Sequence, residues 1–376
     1  MGTLPKARRI ELIPIVKVRL SEEEIEAAVE VLRSGRLVQG KKVEGFERVF
    51  AEKVGAKYAV AVSSGTAALH ISYLALLEPS NEVLVPSFTH ISTASMVHFA
   101  GGKPIFCDIN PRTFTLDVNS AKEKLTSKTR IIAPVHLFGN ACDIDKIIEF
   151  ARNNNLKIVW DACQALGTKY KGKDVGSFDD LVCYSFYPTK NMTTGEGGMI
   201  TTNIQELAER CRLLRSHGQE KKYFHTSLGL NYRMTEIEAA IGLEQLKKLD
   251  KFIKKRRANA RYLNEHLSQF QGITIPFTHD YVEHSFHQYC ILIDLNYFRF
   301  SRDELIESLR QKGIEVAVHY PRSVHKQPVF SSDNLSLPIS EEISKRILSL
   351  PVHPWLKERE LASIVKAVKA SIINDQ

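Results

Sequence analysis

The sequence predicts an α/β protein: a large, mostly parallel sheet covered by helices on both faces, followed by a smaller α+β C-terminal unit. Two observations carry this. Short β-prone runs alternate with helical segments from Tyr58 to Asn203, the pattern of a doubly covered parallel sheet. A chain of 376 residues also has room for more than one core. Where function is concerned, Gly65, Asp161, Ser185 and Lys190 all fall at or just past strand ends, the edge at which such sheets gather ligands.

Ser21 followed by Glu22, Glu23 and Glu24 marks a helix start, and Gly35 marks its stop. A second helix is expected over Val43–Val54. YAVAV at 58–62 reads as a buried strand that turns through Ser63-Ser64-Gly65-Thr66 into the helix AALHISYLALL. Strands at Glu82–Val85, Pro104–Cys107, Arg130–Val135 and Leu156–Trp160 alternate with helices at Thr93–Phe99 and Ile144–Asn153. Leu181–Phe186 and Met199–Thr202 are strands around a loop holding Lys190, Gly195, Gly197 and Gly198. A helix at Ile204–Arg215 and a loop at His217–Tyr232 follow. A long helix, with apolar residues at helical spacing from Ile237 to Ile253, then leads into the second unit. We expect domains at 1–250 and 251–376, with the N-terminal segment a candidate to pack on the smaller one. That smaller domain is expected to hold a strand at Gln288–Leu295 and a helix at Ser301–Lys312, opened by the capping box Ser301/Glu304. A strand at Ile314–Val318 and helices at Ser340–Leu348 and Lys357–Ile373 complete it.

The composition, 43% hydrophobic and 25% charged, is that of an ordinary globular protein. No apolar run reaches bilayer length, so no membrane partner is expected. The first residues lack an apolar core with a small-residue cleavage site, and read as mature protein. Six cysteines without a CxxC pair point to a reducing compartment, hence cytoplasm. No His/Cys spacing suggests a metal. The net charge of +8 raises nucleic acid as a partner. Its densest run, KKLDKFIKKRR at 247–257, shares the helical spacing and reads as a solvated helix face. Nucleic acid is therefore unlikely.

The Ser63–Thr66 turn is either a plain helix cap or an anion site made by free N–H groups at a helix start. Asp161, after LKIVW, either caps a helix or holds a proton on a heterocyclic nitrogen. Gln164, one turn on, offers a neutral hydrogen bond. Phe88 is either core or a stacking face for a flat ring. Lys190, behind a stiff Tyr187-Pro188-Thr189 lead, is either idle or a Schiff-base amine. Taken together, these are the parts that pyridoxal 5'-phosphate requires: phosphate site, stacking face, acid for the ring nitrogen, and lysine.

SSGTAALH, PSFTHISTA, DACQALG, SFYPTKNMTTGEGG, GLNYRMTEIEAAIGLEQL and HYPRSVHKQPVF occur in this order. With them the chain, from about Arg19 onward, resembles the DegT/DnrJ/EryC1/StrS family of sugar aminotransferases. The resemblance implies the pyridoxal-phosphate-dependent transferase fold type I, as in aspartate aminotransferase, and transfer of an amino group from L-glutamate to a keto-sugar nucleotide. It implies Lys190 as Schiff-base lysine and proton shuttle, Asp161 at the ring nitrogen, and Gln164 beside the phenolic oxygen. Gly65, Thr66 and Ser185 take the phosphate, and Asn231 reaches it from the neighbouring subunit of a homodimer with shared sites. Arg233, His319, Tyr320 and His325 match positions that meet the sugar nucleotide. Cys163 stands where the family usually has Ala, and Tyr187 where it often has His. Rival readings are a same-fold enzyme acting on amino acids, a sugar dehydratase, and a regulatory nucleic-acid-binding relative. Lys190 opposes the dehydratase, because that branch carries His in its place.

Overall fold

The computed structural model describes residues 12–178, 180–330 and 334–372. The N-terminal residues 1–11, part of the stretch read as mature protein, and Ile373 lie outside them. The chain opens with α1 (Glu22–Ser34) and α2 (Lys41–Val54). Strands β1 (Tyr58–Val62), β2 (Glu82–Pro86), β3 (Lys103–Cys107), β4 (Thr129–Ile132) and β5 (Lys157–Asp161) follow. They are interleaved with α3 (Gly65–Leu76), α4 (Ser92–Phe99), α5 (Val118–Lys124) and α6 (Ile144–Asn153). A small hairpin, β6 (Lys169–Tyr170) and β7 (Lys173–Asp174), precedes β8 (Leu181–Ser185) and β9 (Gly198–Thr202). The large sheet has the order β1-β9-β8-β5-β4-β2-β3. Its pairs are parallel from β8 to β3, and β9 runs antiparallel to both β1 and β8. One face, which carries Trp160, packs on Phe46 and Phe50, the other on Leu69, Ile71 and Tyr73, all fully buried.

After α7 (Gln205–Arg215), the expected loop at 217–232 contains a hairpin, β10 (Gln219–Lys221) and β11 (Phe224–His225). The long helix α8 (Glu236–Leu267) is capped by Thr235 and Glu238. It runs well past the apolar spacing read from the sequence, and the boundary drawn at 250 falls inside it. Its second half packs into a separate cluster with Tyr289, Ile291, Leu305, Leu348 and Ile364. There β12 (Ile273–Thr274), β14 (Tyr289–Ile293) and β15 (Ile347–Leu350) form an antiparallel sheet, while β13 (Val282–Glu283) pairs with β6. Helices α9 (Arg302–Gln311), α10 (Pro338–Arg346) and α11 (Glu358–Lys369) complete the chain. Ile13 belongs to this same cluster, its N–H donating to the Gly313 carbonyl at 2.8 Å and its carbonyl accepting from Glu315 at 2.9 Å. Two expectations are corrected. Ile314–Val318 is not a strand but two isolated bridges, Ile314 to Ile13 and Ala317 to Ser349. The helix expected to reach Leu348 stops at Arg346, because Ile347–Leu350 pairs with β14.

The contact between α1 and α8 is partly electrostatic. Glu24 is buried and accepts from Gln245 at 2.7 Å and from Lys248 at 2.8 Å. Burial pushes its carboxyl up, but Lys248, Ser21 and Gln245 outweigh burial and hold it at about 2. A lowered carboxylate contributes stability above its unfolded value near 4.5 and loses it as pH falls towards 2. Glu24→Gln is expected to cost about 2 kcal/mol at pH 7 and much less at pH 3. Urea denaturation at both pH values checks this, and an equal cost at both would exclude the ion pair as the cause.

Candidate active site

The site is built where β8 ends. Ser185 closes the strand, and the chain turns through Tyr187 to Lys190, whose N–H donates to the Tyr187 carbonyl at 2.9 Å. Of the glycines that follow, Gly197 and Gly198 are required by close approach. A Cβ on Gly198 would lie 2.4 Å from the Ser64 carbonyl oxygen, nearer than real side chains come. Only glycine there lets the start of β9 lie against the turn into α3, which is bridged by Ser64 and Gly197. The Lys190 loop and the N-terminus of α3 are thereby brought to one place.

Ser64 caps α3, its Oγ accepting from Ala67 N–H at 3.0 Å. The N–H groups of Gly65 and Thr66 precede any intrahelical acceptor, leaving donors at the positive end of the helix. Asp161, the last residue of β5, is 4% exposed. Its Oδ2 accepts from Thr93 Oγ1 at 2.8 Å and its Oδ1 from Cys163 N–H at 3.1 Å, which fixes the carboxylate. Gln164 accepts from Phe138 N–H at 3.0 Å and donates to the Tyr320 hydroxyl at 2.8 Å.

Gly65, Thr66, Asp161, Gln164, Ser185, Lys190, His319 and Tyr320 all line one cavity of about 610 Å³. Lys190 is the only lysine or arginine in that lining among the described residues. Burial lowers its pKa, against the pull of Cys163 and Asp161, so a neutral amine is present at lower pH than for a surface lysine. Burial and Lys190 push His319 down to about 4, so its imidazole is neutral. A second hollow of about 730 Å³ lies against α5 and α6, lined by residues such as Lys122, Asp143 and Lys146. It gathers no comparable set of groups.

Four expected residues lie elsewhere. Phe88 does not face the cavity. It is fully buried, edge-on to Phe114, Phe138 and Tyr320 with centroids 6.1–6.3 Å away, because the chain leaves the sheet after Pro86 and turns this side chain inward. The ring that this loop brings to the wall is that of His90, two residues on. His325 is likewise corrected: it is fully buried, with Nδ1 at Ser87 Oγ and Nε2 3.1 Å from Glu341. Asn231 is exposed and Arg233 half-buried, and neither lines the cavity of this chain. His90, Glu196 and His287 line it without having been singled out from the sequence. No sequence signal marks His287, whereas the position of His90 beside Phe88 could have been weighed.

Among the described residues no helix is long and apolar enough to cross a membrane, and no cluster of three or more His, Cys, Asp or Glu could hold a metal ion.

This architecture is that of the sugar aminotransferases. The structure of DesV from S. venezuelae, in complex with a ketimine intermediate, superposes with a TM-score of 0.92 at 34% identity, covering 96% of this chain and 98% of that one. NtdA from Bacillus subtilis, with the bound cofactor PMP, gives a TM-score of 0.89 at 32% identity, covering 97% and 86%. The model of the DegT/DnrJ/EryC1/StrS aminotransferase family matches residues 18–369, and the chain belongs to that family. It is also similar to the GDP-perosamine synthase of Escherichia coli O157:H7, 36% identical over 364 residues, 96% of this chain and 98% of the relative.

Proposed function

We propose that this chain is a pyridoxal 5'-phosphate-dependent aminotransferase that moves an amino group from L-glutamate to the keto group of a nucleotide-linked hexose. One observation carries this reading: a lysine of lowered pKa, a fixed buried carboxylate and the N-terminus of a helix line a single cavity. The residues present fit the cofactor. A Cβ on Gly65 would lie 2.7 Å from Ser185 Cβ and 2.9 Å from Cys163 Sγ, so glycine keeps open the cradle that a phosphate needs. Gly65, Thr66 and Ser185 would hold that phosphate, Asp161 the ring nitrogen, Gln164 the phenolic oxygen, and His90 a ring face.

When bound, the cofactor supplies an aldehyde carbon that takes the amino group and a ring that withdraws electrons. Lys190 Nζ, neutral once displaced, removes the proton from the amino-acid α-carbon and returns one to the sugar carbon. Asp161, its carboxyl fixed by Thr93 and Cys163, would face the ring nitrogen and favour its protonated form. His319 and Tyr320 shape the side from which the sugar enters.

Gly65→Ala is expected to weaken cofactor binding by roughly tenfold or more and to lower the melting temperature, since an added methyl overpacks the cradle. Spectral titration with the cofactor reads the first effect and calorimetry the second. Unchanged affinity would place the phosphate elsewhere.

The subunit arrangement is inferred from the segment that precedes α8. Asn231 and Arg233 follow a segment whose Tyr223, Phe224 and Leu228 are largely exposed. Apolar side chains gathered there suit cover by a second copy. A homodimer would bring Asn231 to the neighbouring phosphate and Arg233 to the sugar nucleotide. The six cysteines are free, in keeping with the cytoplasm. Incubation with L-glutamate and a panel of GDP-, dTDP- and UDP-linked 3-keto and 4-keto hexoses, scored for the aminated sugar, tests the reaction. Turnover of amino acids alone would refute the sugar assignment.

A further inference from the structure

We propose that a small pocket between the N-terminal segment and the Lys190 loop binds a single inorganic anion of chloride size on Arg256. The site goes beyond the aminotransferase reading and does not depend on it.

The pocket is made by parts of the chain that are far apart in sequence. Residues 16–19, the loop at 190–193, Arg256 of α8 and Trp355 of the smaller domain all line it. Each is held in place. Ile15 N–H donates to Glu315 Oε2 at 2.9 Å, and the Arg19 guanidinium lies over the Trp355 ring, 5.0 Å from its centroid. In the loop, Asn191 Nδ2 donates to the Leu166 carbonyl at 3.0 Å and Thr193 Oγ1 to the Phe186 carbonyl at 2.8 Å. The pocket is therefore formed before any ligand arrives.

Its charge is one-sided. Lys17, Arg19, Lys190 and Arg256 line it, and among the described residues no Asp or Glu does. Arg256 is 5% exposed. Its Nη1 donates to the carbonyls of Phe286 and His287 at 3.2 and 3.1 Å. Nε and Nη2 donate to no described residue, and of these two only Nε is fully enclosed. Nη2 is thus the donor left open to a ligand. Burial alone acts on the guanidinium, lowering its pKa to about 10, so it stays charged at neutral pH with no carboxylate to offset it. Glu24, which accepts from the lining residue Gln245 at 2.7 Å, is already bonded to Lys248. Buried charges are kept where they are paired, and a buried charge without its partner is strongly destabilising. An anion in the pocket supplies the partner that the chain does not.

Size selects among anions. The cavity holds about 30 Å³, and a single water needs roughly 10–15 Å³. A bare halide fits this space. A phosphate or a nucleotide does not.

Thermal melting of the purified full chain tests the site without reading turnover. At constant ionic strength, sodium chloride or bromide in place of sodium gluconate should raise the melting temperature by roughly 2 °C or more, saturating in the millimolar range. Crystals soaked in sodium bromide should show anomalous density beside Arg256 Nη2. Arg256→Gln should lose the melting response. Lys17→Gln changes an exposed side chain, should fold normally, and should raise the half-saturating concentration about two- to fivefold; it carries the test if Arg256→Gln does not fold. Equal melting in gluconate and chloride, a rise that never saturates, or wild-type half-saturation in the variants that fold would overturn the proposal. Bromide found only elsewhere would do the same, and bromide beside Arg256 with no response in solution would be an adventitious ion only. Sodium acetate matching chloride would make the pocket a carboxylate site and overturn the halide assignment.

Discussion

Lys190→Ala should still bind pyridoxal 5'-phosphate, yet show no Schiff-base band in the visible, and its turnover should fall by roughly 10³-fold or more. The first half of this result follows from the division of labour in the cavity. In the proposed reading Gly65, Thr66, Ser185, Asp161 and Gln164 would hold the cofactor without a covalent bond, and none is touched by the substitution. The second half follows from chemistry that no neighbour can replace. Lys190 is the only lysine or arginine in the lining among the described residues, and the nearby His90, His287 and His319 have their pKa values lowered by burial. Absorbance after gel filtration reads the first effect, and single-turnover kinetics with L-glutamate the second. Near-normal turnover would move the catalytic amine to another residue.

Asp161→Asn should slow the amino-donor half-reaction by roughly 10²- to 10³-fold while leaving the fold intact. The two side chains have nearly the same volume, and an amide oxygen can keep the bond from Cys163 N–H. What is lost is the negative charge. At a side chain that is buried, a fixed charge facing the ring nitrogen is worth far more than in solvent. Stopped-flow bleaching of the cofactor band reads the rate, and near-ultraviolet circular dichroism checks the packing. A rate within threefold of wild type would mean that the ring nitrogen is held by another group or is not protonated.

Much of this was legible in the sequence, for a reason that also marks its limit. The Gly65 turn, Asp161, Ser185 and Lys190 sit at or next to strand ends, and the alternation of strands and helices fixes where those ends lie. Once a chain leaves the strand that guide is gone. Phe88 lies two residues past Pro86, where the period of two no longer says which side chain faces inward, and the cavity takes His90 instead. The loop at 319–325 shows the same limit: His319 and Tyr320 reach the cavity, while His325 is spent on Ser87 and Glu341. The short α5 gave no helical signal because it is only VNSAKEK, held by an Asp117 cap. β15 reads in the sequence as the end of a helix because ILSL is a short apolar run, and only its partner β14 makes it a strand. His287 could not be found from sequence, since nothing in its local pattern says that it reaches the cavity.

The most direct test is a titration of the purified protein with pyridoxal 5'-phosphate followed by L-glutamate, watched in the visible. The expected result is a visible band that saturates at one cofactor per chain and is bleached by the amino donor. Failure of the cofactor to bind, or a band that survives both Lys190→Ala and L-glutamate, would contradict the central role of the lysine.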